Sequence, residues 1–282
     1  MLDRINAGDQ LPSASAKASL DRPFDVDTRM EPVGDGSFTG AFTGRWNSLG
    51  GAVNGGYVVA CALQSLRQVL GHPDPLAVST SFLRPAKPGP IEVSTDVAKT
   101  GRRTSTGTAL LRQDGKELAR TTATFADLSA VNPEARDTQP PAPVLPDPTD
   151  MSEPGAGREF PGATITERVE FRYPRPPGWL EGRPTGDATA EFWLRFRDRP
   201  SDTMSLPMLV DAAAPAALEL GIAPAVTIAL TTHVRARPAP GWVACRVTTR
   251  TVLGGYLEED FDIWDADGTH VCQARQLALI LG

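Results

Sequence analysis

Apolar residues recur at helical spacing in one clear run. Val59, Leu63, Leu66 and Leu70 lie three or four apart between Gly55 and Leu70, with Asn54 placed to cap the start and Gly71-His72-Pro73 to stop the run. Strand patterning surrounds it. Phe38 to Trp46 precedes the helix, and Leu76 to Leu83, Ile91 to Ala98, Thr104 to Arg112 and Leu118 to Ala126 follow it. Arg84-Pro85 and the prolines after it, Thr100-Gly101, and Asp114-Gly115 separate these segments; the Asp-Gly pair tolerates the positive φ angles of a tight hairpin. The pattern predicts an antiparallel meander over one long helix.

The pattern then occurs again. Arg84-Pro85, Gly101 and Asp114-Gly115 return as Arg237-Pro238, Gly254 and Asp267-Gly268, each displaced by 153 residues. Around them the spacing predicts strands at Ile165 to Tyr173, Ala190 to Arg197, Ala225 to Arg235, Trp242 to Val252, Tyr256 to Trp264 and Val271 to Leu281, with a helix from Leu206 to Leu220. A lone antiparallel sheet has to cover its apolar face, and the one helix in each half is the available cover. Two such units can join their sheets edge to edge, which hides an edge on each. The expected class is therefore α+β: two long helices, each wrapped by an antiparallel sheet, with the sheets pairing into one extended sheet.

Punctuation divides the chain. Residues 1–22, rich in Ser, Ala and Asp, read as a flexible leader. Residues 129–157 hold seven prolines in 29 positions and read as an extended connector between a unit at 23–128 and a second at 158–282.

Composition narrows the partners. A formal charge of −6 gives no long-range attraction to nucleic acid or anionic lipid. Ala212 to Leu230 is apolar, but Pro215, Glu219, Gly221 and Pro224 interrupt it, so no membrane span is expected. The start of the chain lacks the basic segment and apolar run of a secretory signal, and the expected location is cytoplasmic. Cys61, Cys245 and Cys272 form no CxxC pair or Cys/His cluster, so they read as reduced and buried, and no metal site is expected.

Two stretches carry a family resemblance. Asn54-Gly-Gly-Tyr-Val-Val-Ala with the later His72-Pro-Asp-Pro-Leu-Ala-Val-Ser-Thr-Ser-Phe-Leu-Arg-Pro85 resembles the N-terminal half of the TesB-like acyl-CoA thioesterases, which have a tandem (double) hotdog fold. Asp267-Gly-Thr-His-Val-Cys-Gln-Ala-Arg-Gln276-Leu-Ala-Leu resembles the close of their C-terminal half. The likeness implies hydrolysis of a fatty or related acyl-CoA, with no cofactor. It also makes a homodimer or higher homo-oligomer plausible. An aspartate, a hydroxyl residue and a glutamine are expected to hold the attacking water. Asp211 and Gln276 fall at two of these positions. A gapless alignment from Arg237-Pro238 puts Ile228 at the third, a one-residue slip puts Thr227 there, and Thr231 is a further candidate taken to share a strand face with Thr227.

The residues bear such roles on their own chemistry. Asp211 lies among Leu209, Val210 and alanines, and a carboxylate buried there gains basicity by desolvation. The plainer reading is an exposed helical acid. Gln276 can donate to and accept from a water at once, or can be an outward residue of an edge strand. Asn54-Gly55-Gly56 opens a helix whose first amides are unpaired, which suits a thioester oxygen gaining charge; alternatively the glycines merely fit a turn. Arg84, Arg102, Arg103, Arg235 and Arg237 are bases able to meet coenzyme A phosphates, with none singled out. His72, His233 and His270 form no dyad or ligand spacing, and neither helix start shows the Asp and His of a hotdog hydratase. The rival reading is a non-catalytic acyl-CoA or acyl-carrier binding protein, favoured by the irregular hydroxyl position.

Overall fold

The computed structural model describes residues 22–130, 137–155, 160, 162–222 and 225–281. The expected leader at 1–22 lies almost entirely outside them. A short helix α1 (Pro23–Asp27) and strands β1 (Glu31–Gly34) and β2 (Ser37–Phe42) lead to the long helix α2 (Gly55–Leu70). Strands β3 (Asp74–Phe82), β4 (Gly89–Lys99), β5 (Thr104–Gln113) and β6 (Lys116–Ala126) complete the first half. The second contains β7 (Val169–Arg172), β8 (Thr189–Phe196), helix α3 (Leu206–Ala212), β9 (Ala225–Val234), β10 (Val243–Thr248), β11 (Val252–Leu253), β12 (Tyr256–Trp264) and β13 (His270–Ile280).

All the strands belong to one antiparallel sheet, in the order β1-β2-β4-β5-β6-β3-β9-β13-β12-β10-β8-β7, with β11 beside β12. The edge-to-edge join is the β3–β9 pair. Val78 lies opposite Thr232 and Ser79 opposite Thr231, so residues separated by the 153-residue repeat cross-pair about a local near-twofold axis. Each half has the same order around its core: β3 pairs with β6, as β9 pairs with β13. The simple meander expected after α2 is thus corrected. The Arg84–Pro88 connection carries the chain from β3 to β4 at the far side of the half-sheet, and only β4, β5 and β6 follow one another.

Helix α2 is apolar on most of its circumference because most of it is covered. Tyr57, Val59, Cys61, Leu63, Leu66 and Leu70 are buried, and the helix packs on β3 to β6 and on α3. Each fully buried Leu side chain contributes roughly 1.5–3 kcal/mol. Gly71, with φ 71°, closes the helix in the left-handed region that its lack of a Cβ permits.

The second long helix is not formed. Residues 206–212 are helical, Ala213 turns extended at ψ 145°, and a 3-10 turn (Ala216–Leu220) follows. Pro215 bars a continuous helix, since it has no N–H to bond the Asp211 carbonyl four residues back and its ring would clash with that carbonyl. Other corrections are smaller. The end of the expected Phe38 to Trp46 strand is a 3-10 turn at Gly44–Trp46, and Thr164–Glu167 is another where the strand at Ile165 to Tyr173 was expected to begin. Trp242 to Val252 resolves into β10 and the two-residue β11.

Of the expected connector at 129–157, residues 131–136 and 156–157 lie outside the described residues, and residues 137–147 run against the second half as an extended strap. The indole N–H groups of Trp264 and Trp193 donate to the carbonyls of Pro140 and Pro146, and Gln139 bonds the hairpin at Gly268 and the amide of His270. Beyond it, Thr164 Oγ1 donates to Gly44 O and accepts from the Asn47 amide, so the chain also reaches back to the first half.

Candidate active site

The start of α2 and the end of α3 meet where the two halves join. Asn54 uses both ends of its carboxamide there. Its Oδ1 accepts from the Tyr57 amide at 3.1 Å, capping α2, while its Nδ2 donates at 2.8 Å to the carbonyl of Asp211, one of the C-terminal carbonyls that α3 leaves without an internal partner. Asn54 is itself buried. Tyr57 fixes the entry from the other side, its hydroxyl donating to the carbonyl of Asp27 at 2.9 Å.

Asp211 Oδ2 accepts from the Gly56 amide at 2.8 Å, so the acid sits on the positive end of the opposite helix. This revises the reason for the glycines. A Cβ on Gly56 would stand 2.7 Å from Met208 Cα and 2.8 Å from Met208 O, and one on Gly55 would stand 3.0 Å from Asp211 Oδ2 and from the Phe82 ring. It is α3, where a ligand was expected, that approaches closely. The Gly56 amide, expected to receive a thioester oxygen, instead holds the carboxylate.

Burial pushes the Asp211 carboxyl up to about 6 from an ordinary 3.8. The amides of Gly56 and Gly55 pull the other way, the negative charge of Glu259 adds to the rise, and the hydrogen bond to Asn54 opposes it. An acid so placed is ionised at neutral pH yet remains a usable base.

Gln276 and Thr227 are brought together. Thr227 Oγ1 donates to Gln276 Oε1 at 3.1 Å, and Gln276 is buried on β13 rather than exposed on an edge. A β-bulge explains why the repeat spacing left the hydroxyl position between Thr227 and Ile228. Leu277 lies opposite Ala229 but Ala278 lies opposite Thr227, so Ile228 is the extra residue and both Thr227 and Ile228 line the cavity. Thr231 does not share that face: its hydroxyl meets Ser79 Oγ at 3.2 Å on the outer side of the β3–β9 seam.

Asn54, Gly55, Asp211, Thr227 and Gln276 line one cavity of about 780 Å³. Its remaining wall is largely apolar, with Val58, Phe82, Phe171, Tyr173, Trp179 and Phe261 prominent. The Trp179 turn lines this cavity, whereas no residue from Asp187 to Arg199 does. Arg84 stands exposed at the rim, bonded to Glu117 O; Arg237 is taken up by Asp74 and Asp127, and Arg235 by Gln273. A second, polar cavity of about 590 Å³ beside Arg29, Arg67 and Arg199 holds none of the expected residues.

Sequence reasoning missed Glu259, a fully buried acid bonded to Gln276. Its signal was present. Leu257, Glu259, Phe261 and Ile263 alternate inward along β12, which places an acid on the core face. Among the described residues, no helix is long and apolar enough to cross a membrane.

A sheet wrapped about a helix and joined edge to edge with a second such unit is the hotdog architecture, and the apolar cavity lies at the joint. A hotdog-fold protein from Alicyclobacillus acidocaldarius matches with a TM-score of 0.80 at 23% identity, over 93% of this chain and 98% of that one. The chain belongs to the acyl-CoA thioesterase family: sequence models of its N-terminal domain match residues 42–126 and of its C-terminal domain residues 137–280. A thioesterase II candidate from Thermobifida fusca YX is 30% identical, with a TM-score of 0.81 over 92% of this chain and 98% of its own. The tesB protein of Mycobacterium avium subsp. paratuberculosis shares the fold, with 20% identity and a TM-score of 0.73 over 92% and 98% of the two chains. An uncharacterized Mycobacterium tuberculosis protein is 28% identical over 86% of this chain and 90% of its own length. The protein is thus a thioester hydrolase.

Proposed function

We propose that the protein hydrolyses acyl-CoA thioesters with fatty or comparably apolar acyl groups, using Asp211 as the base that activates water. Its two units are then tandem hotdog domains, 23–128 and 158–282, joined by the 129–157 connector and sharing this one site. The carrying observation is Asp211 in an apolar cavity with its carboxyl raised to about 6 and anchored to the amide of Gly56.

Water placed among Asp211, Thr227 and Gln276 loses a proton to Asp211 as its oxygen attacks the thioester carbonyl carbon. The positive end of α2 favours the charge that develops on the carbonyl oxygen beside Gly55. Collapse re-forms the carbonyl, breaks the C–S bond and releases coenzyme A as the thiolate, and the proton leaves Asp211 to the thiolate or to solvent. A thiolate departs readily, so no strong acid is needed. The apolar wall takes the acyl group, and Arg84 at the rim suits the phosphates of the coenzyme.

The base must be ionised. We therefore expect kcat/KM to fall about tenfold per pH unit below an acid limb near pH 6, read from initial rates of thiol release. A profile flat down to pH 4.5 contradicts Asp211 as the base. The bulge adds a second expectation: Thr227→Val lowers kcat roughly tenfold to a hundredfold, whereas Thr231→Val leaves it within about twofold. The reverse order would remove Thr227 from the site.

A further inference from the structure

We propose that Glu259 is a positioning residue that fixes which way the Gln276 carboxamide points, and through it the proton of Thr227. The inference rests on the hydrolase reading for its catalytic consequence, although the geometry stands by itself. Glu259 lies directly opposite Gln276 in the β12–β13 ladder and is fully buried. Its Oε2 accepts from Gln276 Nε2, and its Oε1 accepts from Thr249 Oγ1 at 3.1 Å and from the Ala217 amide at 3.4 Å. Every one of these partners is a donor.

A carboxamide alone can turn over, exchanging its oxygen and nitrogen at little cost in shape. Burial raises the Glu259 carboxyl, but the hydrogen bonds it accepts from Gln276, Thr249 and the Ala217 amide favour its ionised form; beside that carboxylate only one orientation satisfies both groups, because an amide oxygen turned toward it would leave two acceptors face to face in a buried site. The carbonyl of Gln276 is therefore held toward Thr227. The Thr227 hydroxyl spends its proton on Gln276 Oε1, and its remaining lone pairs are free to accept. A water in the cavity then donates one hydrogen to Thr227 and the other to Asp211, and its own lone pair is left for the thioester carbon. The donor chain runs in one direction, from water through Thr227 and Gln276 to Glu259.

Glu259 also acts on Asp211 at a distance. Among the described residues, it is the charged side chain that contributes most to the environment of Asp211, the other large influences being burial, the amides of Gly55 and Gly56, and the Asn54 carboxamide. Leu257 and Phe261, two residues to either side, are buried on the same face of β12. A merely structural residue at this point would not choose the orientation of an amide or the pH limb of a neighbouring acid.

The test uses the full chain with three readouts. Glu259→Leu is expected to lower kcat about tenfold to a hundredfold with KM changed less than about twofold, and the same change made on top of Gln276→Ala is expected to cost almost nothing more. Glu259→Gln keeps an acceptor for Gln276 but removes the charge, so it should retain most of kcat while the acid limb of kcat/KM moves to lower pH. The third readout needs no turnover. The side-chain amide protons of Gln276, identified in a 15N spectrum by their loss in Gln276→Ala, should exchange slowly in the wild type and rapidly in Glu259→Leu. Wild-type rates in Glu259→Leu, a full additional loss in the Gln276→Ala background, or an amide spectrum unchanged by Glu259→Leu would overturn the proposal. If Glu259→Leu does not fold, an unmoved acid limb in Glu259→Gln overturns it. Failure of the hydrolase reading has a different signature, an absence of thiol release by the wild type, and the amide spectrum still decides the role of Glu259.

Discussion

Asp211→Asn is expected to slow acyl-CoA hydrolysis by roughly a hundredfold to ten-thousandfold while leaving the fold intact. The asparagine oxygen can still accept from the Gly56 amide, so the junction between α2 and α3 is kept and only the base is lost. The same variant should be more stable than the wild type at alkaline pH. The folded carboxyl keeps its proton up to about pH 6, whereas an unfolded one releases it near 3.8. Ionisation thus costs stability: the penalty is absent below the unfolded value, grows as pH rises through the window between the two, and is complete above about pH 6, at about 3 kcal/mol. Melting curves of the two proteins should coincide near pH 4 and separate by several degrees at pH 8, with the asparagine variant the higher. A slower and less stable variant at pH 8 would show a lost structural contact, not a lost base.

Gly56→Ala has the second largest expected effect, and its sign runs against simple helix propensity. In an exposed helix this change would gain up to about 1 kcal/mol. Here the new Cβ meets Met208 backbone atoms at 2.7 and 2.8 Å, so it cannot be relieved by turning a side chain. The helices must part, at a cost of about 1–3 kcal/mol, and the amide that holds Asp211 moves with them. A displacement of an ångström at a catalytic group can cost about a hundredfold, so kcat should fall at least that far together with a drop in melting temperature. Gly55→Ala should be milder, because its close neighbours are the Phe82 ring and the Asp211 carboxylate, both ends of side chains. Equal behaviour of the two variants would contradict the helix approach as the reason for Gly56.

Much of this was legible in the chain. The repeated Arg-Pro and Asp-Gly signals predicted two equivalent halves, and the spacing from Val59 to Leu70 with Asn54 before it predicted α2 to its ends. Edge-to-edge joining followed from the need to hide sheet edges, and β3 against β9 is that joint. Strand order was harder to read, since hydrophobic alternation says which face a residue occupies and nothing about which strand lies beside it. The long second helix failed at Pro215, where apolar spacing continued but the backbone could not. Thr227 and Thr231 were four apart and so seemed to share a face, which one bulged residue, Ile228, undoes. Glu259 was overlooked for the opposite reason: the alternation was plain, but an acid on an inward position is informative only once its partner across the ladder is known.

Asn54 shows how far apart in sequence the site's parts lie. Its carboxamide caps one helix and holds the Asp211 carbonyl at the end of another, 157 residues away, so the carboxylate, its anchoring amide and the apolar cavity exist together only when both halves have folded and joined. That dependence accounts for a cavity at the junction that takes unlike contributions from two like halves.

The central claim is that this cavity turns over acyl-CoA, and the direct measurement is thiol release by the purified wild-type protein with a panel of acyl-CoAs from short to long chain, with enzyme far below substrate. The account predicts many turnovers per protein molecule, fastest for acyl groups large enough to fill the apolar wall. Tight binding of those same acyl-CoAs with no thiol released would contradict it.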